Sequence, residues 1–483
     1  MNANAARLAF NEKRETRLAP LPIAALAMSC LIAASSAGIS AYACDTPELR
    51  STPDNGATLI LTPKECGALT APESAASSNL PWVKPYTFWH QCINAHEHIT
   101  DFLVTPGDYT SWGRLDVYER NGTPERKRVI RYWGPMQDVH PTRRVETNPA
   151  YEAIISGFSF GNAHHWILHG LSLHRPEPAQ FAGFIGYSGA GVGSSHVIVD
   201  SILLENSSNY GIRISAASDS CIQNSVLRNP VLGISDKPGI QLKPLPIVGP
   251  TQGNHIVNNE IVNFTDGIAL TNYTPTQPGT LDGTVIAGND LYVTPDYLAS
   301  QQDGRAGCTE NGIDIKVGSS EPSRPVLVDN NRIWGQRVMK YCNGTADAVV
   351  VHFFARNVQL RRNTIFDVPL GITSKIFPDS SPTTRNLVIE DNVLYGIRAF
   401  RSDSPFPTHD AAAMSLQTPE IVRNNTFSHI DKLFSGDVKD TVVAASIFSG
   451  NKLTAIRDLS HVPSGFFMNN QVWDSPPSAW ACQ

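Results

Sequence analysis

Polar and apolar positions alternate in short segments that recur through the middle of the chain. Asn311-Gly-Ile-Asp-Ile-Lys316 sets apolar Ile313 and Ile315 against polar Asp314 and Lys316, the two-residue period of a half-buried strand. Tyr210-Gly-Ile-Arg-Ile-Ser215, Asp266-Gly-Ile-Ala-Leu-Thr271, Asp347-Ala-Val-Val-Val-His352 and Leu370-Gly-Ile-Thr-Ser-Lys375 follow the same pattern. Aligned, they give an inward column of Ile212, Ile268, Ile313, Val349 and Ile372. The outward column is Ser215, Thr271, Lys316, His352 and Lys375. Stacked strands of this kind build a polar ladder over a continuous apolar core.

A second repeat places Asn or Asp two residues ahead of an aliphatic or aromatic residue. It starts at positions Asp200, Asn224, Asn259, Asn289, Asn331, Asn363, Asn392, Asn425, Asn451 and Asn470, spaced 24, 35, 30, 42, 32, 29, 33, 26 and 19 residues apart. A variable period around a constant core predicts a coil with loops of unequal length. Asn suits its turns because it tolerates left-handed backbone angles and hydrogen-bonds to its counterpart in the next coil. Strand-like sequence is expected from near Trp89 onward, so residues 86–483 read as one all-β domain of about ten to twelve coils. Residues 44–85, rich in Pro, Ser, Thr and Ala, read as an irregular leader or cap.

Composition agrees with a turn-rich β protein: 17% of residues are charged, and there are 35 Gly and 34 Pro. Arg7, Lys13, Arg14 and Arg17 precede an uncharged run from Leu18 to Ala43 that ends in Ala41-Tyr42-Ala43. This predicts a signal peptide over 1–43, cleavage after Ala43, and a secreted or periplasmic protein, since no other run of the sequence is long and apolar enough to span a bilayer. Cleavage removes four basic and two acidic groups and moves the net charge from −6 to −8. That charge disfavours nucleic acid as a partner but admits an acidic polysaccharide in a locally basic groove. A monomer without stable membrane association is expected. Seven cysteines follow the cleavage point, at 44, 66, 92, 221, 308, 342 and 482. Cys308 and Cys342 precede Lys316 and His352 by eight and ten residues, which predicts a bridge between loops of neighbouring coils. Cys44–Cys66 is a second expected pair.

The coil pattern over about residues 90–475 resembles the right-handed parallel β-helix of the pectate-lyase-like superfamily. Pro106-Gly-Asp-Tyr109 with Asn121-Gly-Thr-Pro124 is similar to the first coils of chondroitinase-B-type polysaccharide lyases. The resemblance implies a polysaccharide lyase of the family 6 or family 9 kind, which cleaves a uronic-acid polymer by β-elimination. Such cleavage needs a cation to neutralise the carboxylate, a base for the C5 proton and a proton for the leaving O4. In those families an outward lysine is the base, and Lys316 is the matching residue. A lysine base requires burial or neighbouring cations to lower its pKa. Arg337 or Arg332 matches the accompanying arginine, His352 is a rival base or acid, and Arg213, Asp314, Arg332 and Lys375 are candidate substrate contacts. Glu310, Asp314 and Asp347 are candidate Ca²⁺ ligands.

Each candidate also has a plain reading: outward Lys and Arg are commonly solvated charges, and His352 lies in an apolar run. A non-catalytic carbohydrate-binding or adhesin-like β-helix, or a glycoside hydrolase on the same fold, are the competing functions. Polygalacturonase signatures (Asn-Thr-Asp, Gly-His-Gly) and the epimerase Asp-Pro-His-Asp are missing from the sequence. His96-Glu-His98 would place two imidazoles on one side of a strand, as metal ligands require. His164, His165, His169 and His174 flank an early coil, where they line a sugar groove or serve the fold.

Overall fold

The structure is a computed structural model. It describes Cys44 and residues 58–70, 87–134, 152–174, 181–187, 193–205, 207, 210–229, 237–271, 274, 276–300, 309–337, 346–375, 385–399, 411–435, 442, 446–459, 462 and 469–473. All of these fall within one compact unit, Ile39–Pro476. The signal segment 1–43 and both Cys308 and Cys342 lie outside the described residues.

Three sheets, with ten, thirteen and sixteen strands among the described residues, run the length of the unit. In the ten-stranded sheet the strands are hydrogen-bonded in sequence order, from Leu115–Tyr118 to Ala412–Leu416. Every pairing in it is parallel. A chain that visits three sheets in rotation, adding one parallel strand to each per turn, is a parallel β-helix. Its hand is right, as parallel crossovers require.

The inward column is present and longer than the sequence pattern suggested. Ile212, Ile240, Ile268, Ile313, Val349, Ile372 and Met414 are Cα partners in consecutive strands, each no more than 1% exposed. Burying each such side chain contributes about 1.5–3 kcal/mol. The glycine of the recurring segment has a packing reason. A Cβ on Gly312 would lie 2.4 Å from Ile333 and 2.6 Å from the Ala348 carbonyl, so the sheet corner closes only with a hydrogen there.

The asparagine repeat forms a continuous internal ladder. From Asn259 through Asn289, Asn331, Asn363, Asn392, Asn425 and Asn451 to Asn470, each Nδ2 donates to the next Oδ1 at 2.8–3.0 Å. Each Oδ1 also accepts the previous asparagine's backbone N–H. The left-handed angle belongs to the preceding residue instead: Asn258, Asn330, Asp391 and Asn424 have φ of 55°, 52°, 57° and 57°. Asn224, also left-handed at φ 50°, therefore sits one place before the ladder. Ser225 takes the ladder position and bonds to Asn259 Oδ1 through its own N–H.

The N-terminal end departs from the sequence reading. Phe88–Ala95 is a helix, not a strand, with the Thr87 hydroxyl accepting the His90 N–H at its start. Phe88, Trp89, Cys92 and Ile93 on this helix are buried and extend the core past the first coil. His96 follows as the helix C-cap, so the strand geometry expected for His96 and His98 is absent, and their rings lie 6.5 Å apart. Within the expected irregular leader, Thr58–Thr62 forms a strand parallel to Asp101–Val104. The cysteine pairing is also corrected. Cys66 bonds to Cys92 on the cap helix, and Cys44 bonds to Cys221 on the sixteen-stranded sheet. Folding brings Cys221 within 6.4 Å (Cα–Cα) of Cys44 across 177 residues of sequence. No helix among the described residues is long and apolar enough to cross a membrane.

Candidate functional site

The outer face of the ten-stranded sheet gathers the ionisable residues around Asp314. Its strand, Asn311–Val317, alternates as expected: Ile313 and Ile315 are buried in the core, while Asp314 and Lys316 point outward. The next strand, Asp347–Phe354, keeps register with it as far as Ile315–Val351 and then slips, so that Phe354 pairs with Val317. His352 and Phe353 thus stand opposite the single residue Lys316, a β-bulge with Phe353 at φ 50°. Bulges re-aim side chains. This one accompanies a contact of 2.6 Å between His352 Nε2 and Asp314 Oδ1.

Asp314 holds two groups at once. Lys316 Nζ donates to its Oδ2 at 2.8 Å, and its side chain is 2% exposed. Burial pushes the Asp314 carboxyl up, but His352 and Lys316 outweigh it and hold the pKa below the ordinary value. Burial pushes Lys316 down, and the neighbouring carboxylates, led by Asp314 through its charge and hydrogen bond, more than offset this, so its net shift is upward. Asp266, a strand earlier, accepts from Asn311 Nδ2 at 2.9 Å. Burial, reinforced by Asp314 and Glu310, raises Asp266 well above the carboxylate range. The centre therefore combines a lysine favoured in its charged form, an aspartate favoured in its ionised form, an imidazole and a buried carboxyl, Asp266, biased toward its neutral form.

The other residues singled out from sequence divide into near and remote. Lys375 is on the following strand's end and pairs with Asp347 at 3.3 Å, whose other oxygen accepts from Thr373 at 2.6 Å. Arg213 shares the face but lies three strands before Asp314, in register through Gln241 and Ala269. Arg337 instead pairs with Asp367 at 2.6 Å. Arg332 is on the thirteen-stranded sheet, paired with Asp290 at 3.3 Å and lying over Trp334. The groups around Lys316 are thus carboxylates, where a lysine base needs cations.

The proposed Ca²⁺ ligands do not converge as a cation cage. Lys316 and His352 take the two Asp314 oxygens, Lys375 and Thr373 take those of Asp347, and no metal-binding group of three or more His, Cys, Asp or Glu occurs among the described residues. Hard cations need several free oxygens, so this donor set does not fit one.

Three side chains escaped the sequence reading: Asp266, Asn311 and Lys243. Lys243 had a visible signal, because Gly239-Ile-Gln-Leu-Lys243 repeats the spacing of Gly312-Ile-Asp-Ile-Lys316. It occupies the outward column between Ser215 and Thr271, as its strand Ile240–Leu242 joins Tyr210–Ser215 to Asp266–Leu270.

No family model and no curated protein sequence matches the chain. Solved structures do. One is a mannuronic-acid-specific family 6 polysaccharide lyase from human gut microbiota, at 11% identity over 87% of this chain and 92% of that one, with a TM-score of 0.54. Another is the GH136 lacto-N-biosidase from Eubacterium ramulus, at 10% identity over 86% of this chain and 67% of that one, with a TM-score of 0.51. At such identities the likeness concerns the backbone, and with the three parallel sheets it establishes the right-handed parallel β-helix as the fold of this chain.

Proposed function

We propose that this protein is a polysaccharide lyase that cleaves a uronate-containing polysaccharide by β-elimination at the Asp314 centre. The observation that carries the reading is the simultaneous hold of Asp314 on Lys316 and His352. Lys316 keeps its proton at neutral pH, so it serves as the cation that faces the substrate carboxylate and acidifies the neighbouring C5–H. His352, whose Nε2 is held by Asp314, receives the C5 proton at its buried Nδ1, and Asp314 balances the imidazolium that forms. The C5–H electron pair becomes the C4–C5 double bond, the C4–O4 bond breaks, and O4 leaves with its electron pair. The proton carried by His352 then completes the O4 hydroxyl. Arg337, bound to Asp367, has no part in this scheme, while Lys375 extends the cationic face along the coil axis.

A disulfide-bonded chain of this fold also fits an extracellular setting, where such polymers occur. The test is a screen of pectate, alginate, chondroitin, hyaluronan and rhamnogalacturonan for the ultraviolet absorbance of an unsaturated uronate. The expected result is a rising absorbance with one of them. New reducing ends without that absorbance would make the protein a hydrolase and overturn the proposal.

A further inference from the structure

We infer that Arg213 and Lys243 form a separate carboxylate-binding position, which holds a second uronate unit of the same polysaccharide chain. The inference rests on the lyase reading for its substrate class, but its geometry is independent of the Asp314 centre. Lys243 and Lys316 occupy the same outward column two strands apart, which is about 10 Å along the coil axis at the usual strand spacing. A polymer lying along this face passes both.

The two cationic groups differ in their surroundings. Lys316 is ion-paired with Asp314. No carboxylate lies within ion-pair distance of Arg213 or Lys243 among the described residues. Arg213 donates through Nε to Gln241 Oε1 at 2.6 Å, and its guanidinium lies 4.0 Å from the Phe181 ring centre and 4.7 Å from that of Tyr210. Two aromatic faces and a neutral amide fix its plane without cancelling its charge. Lys237 adds a third cation, 5.2 Å from the Tyr210 ring. The Lys243 backbone is fixed by its N–H to Ile214 O at 2.9 Å and by the Ser215 hydroxyl to its carbonyl at 2.7 Å.

Burial lowers Arg213 to about 10 against the opposing pull of its hydrogen-bonded neighbour Tyr210, and burial followed by the Arg213 charge lowers Lys243. Both shifts follow from burying positive charge where no carboxylate is in ion-pair reach among the described residues, and a bound anion relieves that cost. A planar, preoriented guanidinium matches a carboxylate in two-point fashion.

The test compares wild type with Lys243→Met and Arg213→Gln by calorimetric titration of uronate oligosaccharides. Carboxyl-reduced versions of the same oligosaccharides serve as the neutral control. Each substitution should weaken uronate binding about tenfold, leave binding of the reduced oligosaccharides unchanged, and raise KM with kcat altered less than about threefold. Lys243 is only half-buried, so its variant remains informative if Arg213→Gln fails to fold. Unchanged uronate affinity in Lys243→Met, or a wild type that binds no uronate, overturns the position. Wild type that binds uronates and releases no unsaturated product overturns the lyase reading alone.

Discussion

Replacing Asp314 by Asn removes one charge with almost no change of shape, and the structure sets the scale of the result. The wild-type carboxylate sits 2.8 Å from Lys316 Nζ and 2.6 Å from His352 Nε2, with its side chain 2% exposed. Breaking a buried pair costs about 3–5 kcal/mol. Lys316 retains 30% exposure, so water recovers part of that, and the lower end, about 3 kcal/mol, is expected. Chemical denaturation should show it as a lower midpoint at an unchanged slope. Catalysis should suffer separately. Without Asp314 the imidazolium is uncompensated and the imidazole loses its anchor, a loss of about 10²–10⁴-fold in kcat. The sign with pH follows from the depressed Asp314 pKa. Its stabilisation is complete above the unfolded value, about 3.9, and disappears as pH falls through the lower folded value, so the Asn variant should lose least, relative to wild type, in strong acid. A variant within threefold of wild-type kcat, on the polymer that wild type cleaves, would refute the role given to Asp314.

Other expectations follow from single groups. Lys316→Ala should lower kcat about a hundredfold and Lys316→Arg should restore part of it, because a charge rather than a free amine is required; initial rates on the same polymer decide this, and an inactive Arg variant with an alkaline wild-type optimum would return the base role to the lysine. Glu420 is buried and raised to about 7, so folding takes up a proton and stability should fall as pH climbs from about 4.5 to about 7. Glu420→Gln should flatten that slope in denaturation curves taken across the interval. Cys44→Ser opens the Cys44–Cys221 bond and should cost about 2–5 kcal/mol by the same assay; non-reducing peptide mapping of the wild type should find Cys44 joined to Cys221.

The parts of the fold that were legible from sequence are those with a strict local period. Ile268, Ile313, Val349 and Ile372 are apolar at every second position because one side of each strand faces a dry core. Asn259 to Asn470 recur because each ladder amide satisfies the next, and an interruption would strand a buried polar group at about 1–3 kcal/mol. The site was legible only where it keeps that period. Asp314 and Lys316 follow from alternation, but His352 meets Asp314 beside a one-residue slip, and no local pattern announces a bulge. The cap helix was missed because Phe88, Trp89 and Ile93 have an apolar content compatible with either a strand or a helix, and the Thr87 cap decides between them. Cys44–Cys221 joins residues that only the coiling of the chain brings together. Lys316 suggested a base by residue type, yet Asp314, two residues away on the same strand, is the main group that raises its pKa, an effect that residue type alone does not show.

The central claim is elimination, and mass spectrometry of a defined uronate oligosaccharide after digestion tests it most directly. Elimination adds no water, so the two product masses should sum to that of the substrate, with the unsaturated uronate at the new non-reducing end. Products whose masses sum to the substrate plus one water would contradict the account.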